Sequence, residues 1–264
     1  MLSRVIDEAP IPWAALLECC SPHQNEFDLL TVEVISYHMR ILIVTATDLE
    51  LAPFVAKLQY TSESCSRLKT YTHARHDIDV LTTGVGMVAT AAWCSRVLAQ
   101  NRYDMAMNFG VCGSFDRTLQ LGQVVHVVSD RIAELGAEND ETFLTIQELK
   151  LVGDNEFPFR CGQLMNLAPP ANATISRLPT ADGITVNTVH GNEQSIAAVA
   201  QRFKPQVESM EGAAFMYACM IHGLAFAQVR AVSNVVEKRN REAWKITEAI
   251  RNLGEVALNI IEDT

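Results

Sequence analysis

The chain has 264 residues, 48% of them hydrophobic, and a formal net charge of −10. That length suits one large α/β domain. The apolar fraction excludes a disordered chain, and an acidic chain without a basic face argues against a nucleic-acid partner. No apolar run approaches the ~20 residues that cross a bilayer, so no membrane partner is expected. The seven cysteines are scattered and no pair has C-x-x-C spacing, which suggests neither a zinc site nor a disulfide framework and fits a cytoplasmic location.

Residues 1–38 mix Pro10, Pro12 and Pro22 with one short apolar run, Trp13–Leu17, and lack the order of a secretory signal. We expect an N-terminal extension, loosely ordered or absent from the mature protein, ahead of one domain over 39–264. Ile41–Ala46 is continuously apolar, as in a strand covered on both faces. Thr47 or Asp48 then caps a helix running to about Leu58, with Pro53 in its first turn. Glu50 falls just beyond the strand's carboxyl end, either as a first-turn acid or as a ligand group. Ile78–Thr83 is a second strand, leading through Thr83-Gly84-Val85-Gly86 into a helix over Val88–Ala99. The G-x-G-x-x-A spacing matches a dinucleotide fingerprint, but the next strand, Met105–Val111, ends in Cys112 and Gly113 with no acid to hold a ribose. A tight glycine turn that offers backbone N–H groups and the Thr83 hydroxyl to a small polar ligand is the better reading.

Val124–Val128 and Arg131–Ala133 are β-rich, Thr145–Val152 is a short helix or strand, and Asp154–Pro170 is a loop. Its Phe157 and Phe159 either wall a pocket or simply pack. Ile184–Val189 is a strand, His190 at the following turn reads as structural, and Asn192 caps a helix over Glu193–Phe203. Gln206–Ser209 is a short strand that turns at Met210 and Glu211 into a helix over Ala213–Gly223. Glu211 therefore sits where open α/β sheets hold ligands. It either answers the helix dipole or accepts hydrogen bonds from vicinal hydroxyls, as on a ribose. Ala225–Val232 is a buried strand, and a helix from about Glu242 to Ile260 closes the chain. Between them, Lys238, Arg239 and Arg241 form either a solvated loop or a clamp for a carboxylate.

Several of these segments, Thr83-Gly84-Val85-Gly86, Asn108-Phe109-Gly110-x-x-Gly113, Ser209-Met210-Glu211-Gly212-Ala213-Ala214 and Arg230-Ala231-Val232-Ser233-Asn234, together resemble the purine nucleoside phosphorylase and nucleosidase superfamily. Within it, Asn187-Thr188-Val189-His190-Gly191 and Ser233-Asn234-x-x-Glu237-x-Arg239-Asn240-Arg241-x-x-Trp244 look most like the futalosine hydrolase branch. The resemblance spans Met39 to Leu253. It implies a three-layer α/β sandwich with a twisted mixed sheet partly closed into a barrel, assembled as a homo-oligomer, a dimer or tetramer, and using no metal or organic cofactor. It also implies cleavage of an N-glycosidic bond. Futalosine is an inosine with a carboxyphenyl-propanone chain at its 5′ end; its hydrolysis gives hypoxanthine and dehypoxanthine futalosine on a menaquinone pathway.

The same resemblance implies roles for individual residues. Glu211, with Met210, holds the ribose hydroxyls, and Glu50 orients and deprotonates the attacking water. Thr83 and Gly84 lie beside that water, and Arg230 and Ser233 line the water and base pocket. Asn234 stands where methylthioadenosine/S-adenosylhomocysteine nucleosidases place an aspartate. An amide donates a hydrogen bond to N7 or O6 but no proton, which suits a 6-oxopurine. Around Asn108 no basic residue lies close in sequence, which favours water over a phosphate nucleophile. Arg239 and Arg241, with Lys238, are the candidates for the substrate carboxylate. Other purine nucleosidases or phosphorylases, and a nucleoside-binding protein without catalysis, are the alternatives.

Overall fold

The computed structural model describes residues 38–264; the expected N-terminal extension lies outside the described residues. In chain order, β1 (Arg40–Thr45) leads into α1 (Asp48–Val55), β2 (Gln59–Cys65), β3 (Leu68–His73), β4 (His76–Thr82) and α2 (Met87–Gln100). Then come β5 (Met105–Ser114), β6 (Val124–Ile132), the small ribbon β7 (Gly136–Asn139) and β8 (Thr142–Thr145), β9 (Leu164–Met165) and α3 (Ala173–Arg177). The last third holds β10 (Thr180–Thr185), α4 (Glu193–Phe203), β11 (Val207–Ser209), α5 (Gly212–Ile221), β12 (Phe226–Val235) and α6 (Ile246–Glu262).

The unbroken apolar run of β1 explains the layering. Successive side chains of a strand point to opposite faces. Ile41 and Ile43 enter one core with Leu51 and Phe54 of α1 and Leu253, Ala257 and Ile260 of α6. Leu42 and Val44 enter another with Cys94 and Val97 of α2 and Phe215, Met216 and Cys219 of α5. Both faces are therefore covered by helices, as the sequence predicts.

β5 is the strand on which the sheet closes. Its first half pairs in parallel with β1, from Ile41 opposite Met105 to Val44 opposite Asn108. Its last residues leave β1 and pair antiparallel with β11, Gly113 with Glu208 and Ser114 with Val207. On its other side β12 runs parallel along its length, with a bulge between Val232 and Asn234. The path β5-β12-β6-β10-β11 thus returns to β5 as a five-stranded barrel, and β1, β4, β3 and β2 extend the sheet outward.

Several expectations need correction. α1 ends at Val55, short of Leu58, and Pro53 lies in its second turn rather than its first. The two β-rich pieces after Val124 are one strand. Only Thr142–Thr145 of the next segment is regular, a strand whose end overlaps the start of the expected 145–152 element. β10 stops at Thr185, so 186–190 are free to turn toward β11. The closing helix begins at Ile246, after a single tight turn at Arg241–Ala243. The β2–β3 hairpin was not expected, because β2 is exposed and polar along almost all its length and carries no apolar alternation. Among the described residues no helix is long and apolar enough to cross a membrane.

Candidate active site

The carboxyl ends of β1, β5, β11 and β12 surround a cavity of about 330 Å³, within the usual range for small-ligand sites. Its walls carry Glu50, Val111, Gly113, His190, Glu208, Met210, Glu211, Ser233 and Asn234, and Trp244, Ile246 and Ile250 come from the approach to α6 and its first turns. None of the described lining residues is Lys or Arg.

Glu50 is held from two sides. One carboxylate oxygen accepts from the Thr47 backbone N–H at 3.0 Å and from the Thr45 and Thr47 hydroxyls at 3.3 and 3.2 Å. This bond to the N-cap is half of a capping box, so the first-turn role that the sequence suggests is real. The other oxygen accepts from the Val111 N–H on β5 at 3.1 Å. The same side chain therefore ends α1 and faces the cavity.

Glu211 is buried at the start of α5 and accepts from the Gly86 N–H at 2.9 Å. Here the glycine turn finds its purpose. Gly84 and Gly86 have φ of +88° and +98°, values that favour glycine, and they aim an amide at Glu211 rather than at a ligand directly. Burial pushes the Glu211 carboxyl upward; Arg230 and the Gly86 N–H pull it down, and Glu50 adds repulsion. Thr83 stands behind this turn. It is buried, its hydroxyl donates to the Gly84 carbonyl at 2.8 Å and lies 3.2 Å from the Thr90 hydroxyl, and it does not line the cavity. Gly84 is likewise absent from the lining.

Arg230 is fully buried behind the cavity wall. Its Nε donates to Gln228 at 3.1 Å and its Nη2 to Asn108. A Cβ on Gly110 would overlap the guanidinium and lie 3.1 Å from a Glu50 oxygen, so the charge sits directly behind that carboxylate. Gln228 in turn donates to Asp130 at 3.0 Å, Asp130 accepts from Thr185 at 2.9 Å, and the Ala213 N–H at the start of α5 donates to Thr185 at 2.7 Å. This buried network ties the base of Glu211's helix to Arg230. An arginine does reach Asn108, from β12 rather than from nearby sequence, but beneath the cavity.

Ser233 and Asn234 line the wall on the β12 bulge. The Ser233 hydroxyl donates to Asn234 Oδ1 at 2.9 Å, and Asn234 Nδ2 donates to the Val235 carbonyl at 3.0 Å. Arg239 and Arg241 are exposed and do not line the cavity; both lie over the Trp244 ring, at 5.3 and 5.9 Å from its centroid. They flank the mouth through that ring. Phe157 and Phe159 are remote, in a separate surface hollow.

Three lining residues had no functional role assigned from the sequence, His190, Glu208 and Trp244. His190 Nδ1 bonds the Glu208 carboxylate, whose other oxygen accepts from the His190 backbone N–H at 3.0 Å. No local sequence signal links positions 18 apart; Ile184 of β10 is the register partner of Glu208, and the loop after β10 carries His190 back to it. Trp244 had a signal, the Arg-x-x-Trp spacing, without a predicted role. Among the described residues no cluster of three His, Cys, Asp or Glu could hold a metal ion.

The phosphorylase superfamily model matches residues 40–263. The chain belongs to the phosphorylase superfamily. It is 30% identical to a futalosine hydrolase of Thermus thermophilus, over 69% of this chain and 80% of that one. It is also 30% identical to a futalosine hydrolase of Streptomyces coelicolor, over 81% of this chain and 92% of that one. The native structure of futalosine hydrolase from Helicobacter pylori superposes with a TM-score of 0.71 at 11% identity, covering 85% of this chain and 98% of that one; this superfamily member therefore shares its fold.

Proposed function

We propose that the protein hydrolyses the N-glycosidic bond of futalosine, releasing hypoxanthine and dehypoxanthine futalosine. The observation that carries this reading is a cavity lined by Glu50, Glu211 and an amide at Asn234, with Glu208 held by His190 beside them and no Lys or Arg among the described lining residues. A phosphate nucleophile is ordinarily met by Arg or Lys, so the lining favours water. The similarity to two futalosine hydrolases supports the substrate.

In this reading the ribose lies between the Glu50 and Glu211 carboxylates. Glu211 accepts from its hydroxyls, and both acids favour the positive charge that develops on the ring as the C1′–N9 bond lengthens. Glu50 takes a proton from water as its oxygen bonds C1′. The bonding electrons leave on the base, where the Asn234 amide hydrogen-bonds N7 or O6. Trp244, backed by Arg239 and Arg241, closes over the 5′ extension, and the two cations stand near its carboxylate. Leu49 and Val85, both more than half exposed, rim the cavity, with Val88 also bare nearby; we place a homo-oligomer contact on this apolar rim. A cytoplasmic location fits the five described cysteines, all free.

The test is chromatography of the protein incubated with futalosine, inosine or methylthioadenosine, each with and without phosphate. Hypoxanthine from futalosine alone, at a rate independent of phosphate, is expected. Phosphate-dependent cleavage of inosine, or adenine from methylthioadenosine, overturns the substrate or nucleophile.

A further inference from the structure

The His190–Glu208 pair lines the cavity and has no part in holding the ribose or activating water. Its place in the sheet is informative. Glu208 of β11 and Asn234 of β12 are both register partners of Gly113 on β5, one on either side. The pair therefore stands at the same level of the site as Asn234, across the end of β5. Glu208 is buried and accepts from both the backbone N–H and Nδ1 of His190. These two hydrogen bonds fix the ring and place a proton on Nδ1, because a carboxylate only accepts. The edge of Phe115 packs against the imidazole, with centroids 6.3 Å apart. Nε2 bonds no group among the described residues, and the residue borders the cavity.

We propose that His190, oriented by Glu208, donates from Nε2 to O6 of the departing 6-oxopurine, opposite Asn234. This rests on the 6-oxopurine reading above. The step balances. The C1′–N9 electron pair passes to the base, its charge spreads to O6, and Nε2–H delivers its proton there while Glu208 pairs the imidazolium beforehand. The nucleophilic water gives its proton to Glu50, which releases it to solvent, solvent reprotonates His190, and the base leaves neutral. Asn234 supplies a hydrogen bond but no proton, so the two residues divide the work.

A purine methylated at N7 departs as a neutral base and needs no acid, which makes it the discriminating substrate. The parent protein is first assayed on futalosine without phosphate; no hypoxanthine there defeats the substrate reading, whatever His190 does. His190→Gln and Glu208→Gln are then compared with the parent on futalosine and on N7-methylfutalosine. For His190→Gln we expect kcat on futalosine to fall roughly 100-fold or more, the usual worth of a positioned acid, with kcat on the methylated substrate within about threefold of the parent. Glu208→Gln keeps the shape of the carboxylate and should show the same selective loss to a smaller degree. Equal losses on both substrates, or none on either, overturn the assignment. So does a rise in KM alone, which would place His190 on the 5′ carboxylate instead. Should His190→Gln fail to fold, Glu208→Gln decides by the same comparison.

Discussion

Glu50 holds two positions at once, as partner of the Thr47 N-cap and as the base candidate, and the two can be separated. Glutamine keeps an oxygen for the Thr47 N–H but is not a base. Glu50→Gln should therefore lose ~10² to 10⁴ in kcat while still binding substrate, and unfold about 1–3 kcal/mol below the parent because the amide leaves the Val111 N–H without an acceptor. Turnover and calorimetric titration measure the first two, urea unfolding the third. Full turnover in that variant would remove Glu50 from the base role. Asn234→Asp tests the leaving base. The carboxyl can donate a proton where the amide cannot, so the ratio of kcat/KM for 6-amino over 6-oxo nucleosides should rise about tenfold or more; an unchanged ratio would separate Asn234 from the base. That Glu50 and Glu211 face the cavity was legible in the sequence because each lies in the turn or first helical turn after a strand. The His190–Glu208 bond was not, because a loop after β10 folds back onto β11 to make it. The turn made by the Thr83 hydroxyl was not, because a hydroxyl at a strand end can serve its own turn as readily as a ligand.

Among the elements, α5 shows how closely the framework is drawn around the site. Its first residue, Gly212, has no room for a methyl group: a Cβ would overlap Gln228 Oε1 and Asp130 Oδ2. Gly212→Ala should cost about 1–3 kcal/mol in unfolding free energy. It should also slow turnover, since the displaced groups support Arg230 and the start of Glu211's helix. Denaturant midpoints and steady-state rates check both, and unchanged values would mean that the network yields easily. The buried strands and the α4 cap were readable, because apolar runs and an Asn before a helical period are local signals. Asn192 accepts from Gln194 and Ser195 as predicted. Pro53 and the exposed β2–β3 hairpin were not readable, since tertiary packing rather than propensity decides them.

For the molecule as a whole, the most consequential buried charge outside the cavity is Asp130. Burial pushes its carboxyl from 3.8 up to about 6, against hydrogen bonds from Gln228 and Thr185 that lower it. A raised carboxyl favours folding fully at low pH and loses that advantage as pH climbs through the folded value. Relative to Asp130→Asn, the parent should lose roughly 3 kcal/mol of stability between about pH 4 and pH 7. Urea unfolding of both proteins across that range measures it, and parallel curves would mean the group is not perturbed. The seam on β5 has a consequence in time. The pairing of β1 with Met105–Asn108 joins stretches about 64 residues apart, whereas Gly113 meets Glu208 across a separation of about 95. Long loops close late, and β11 offers only three residues to hold the closure. That short ladder is expected to open before the long β5–β12 ladder beside it. Amide protons should exchange faster at Gly113 and Ser114 than at Ala106 and Met107 of the same strand, so that activity would fade on warming before the rest of the sheet gives way.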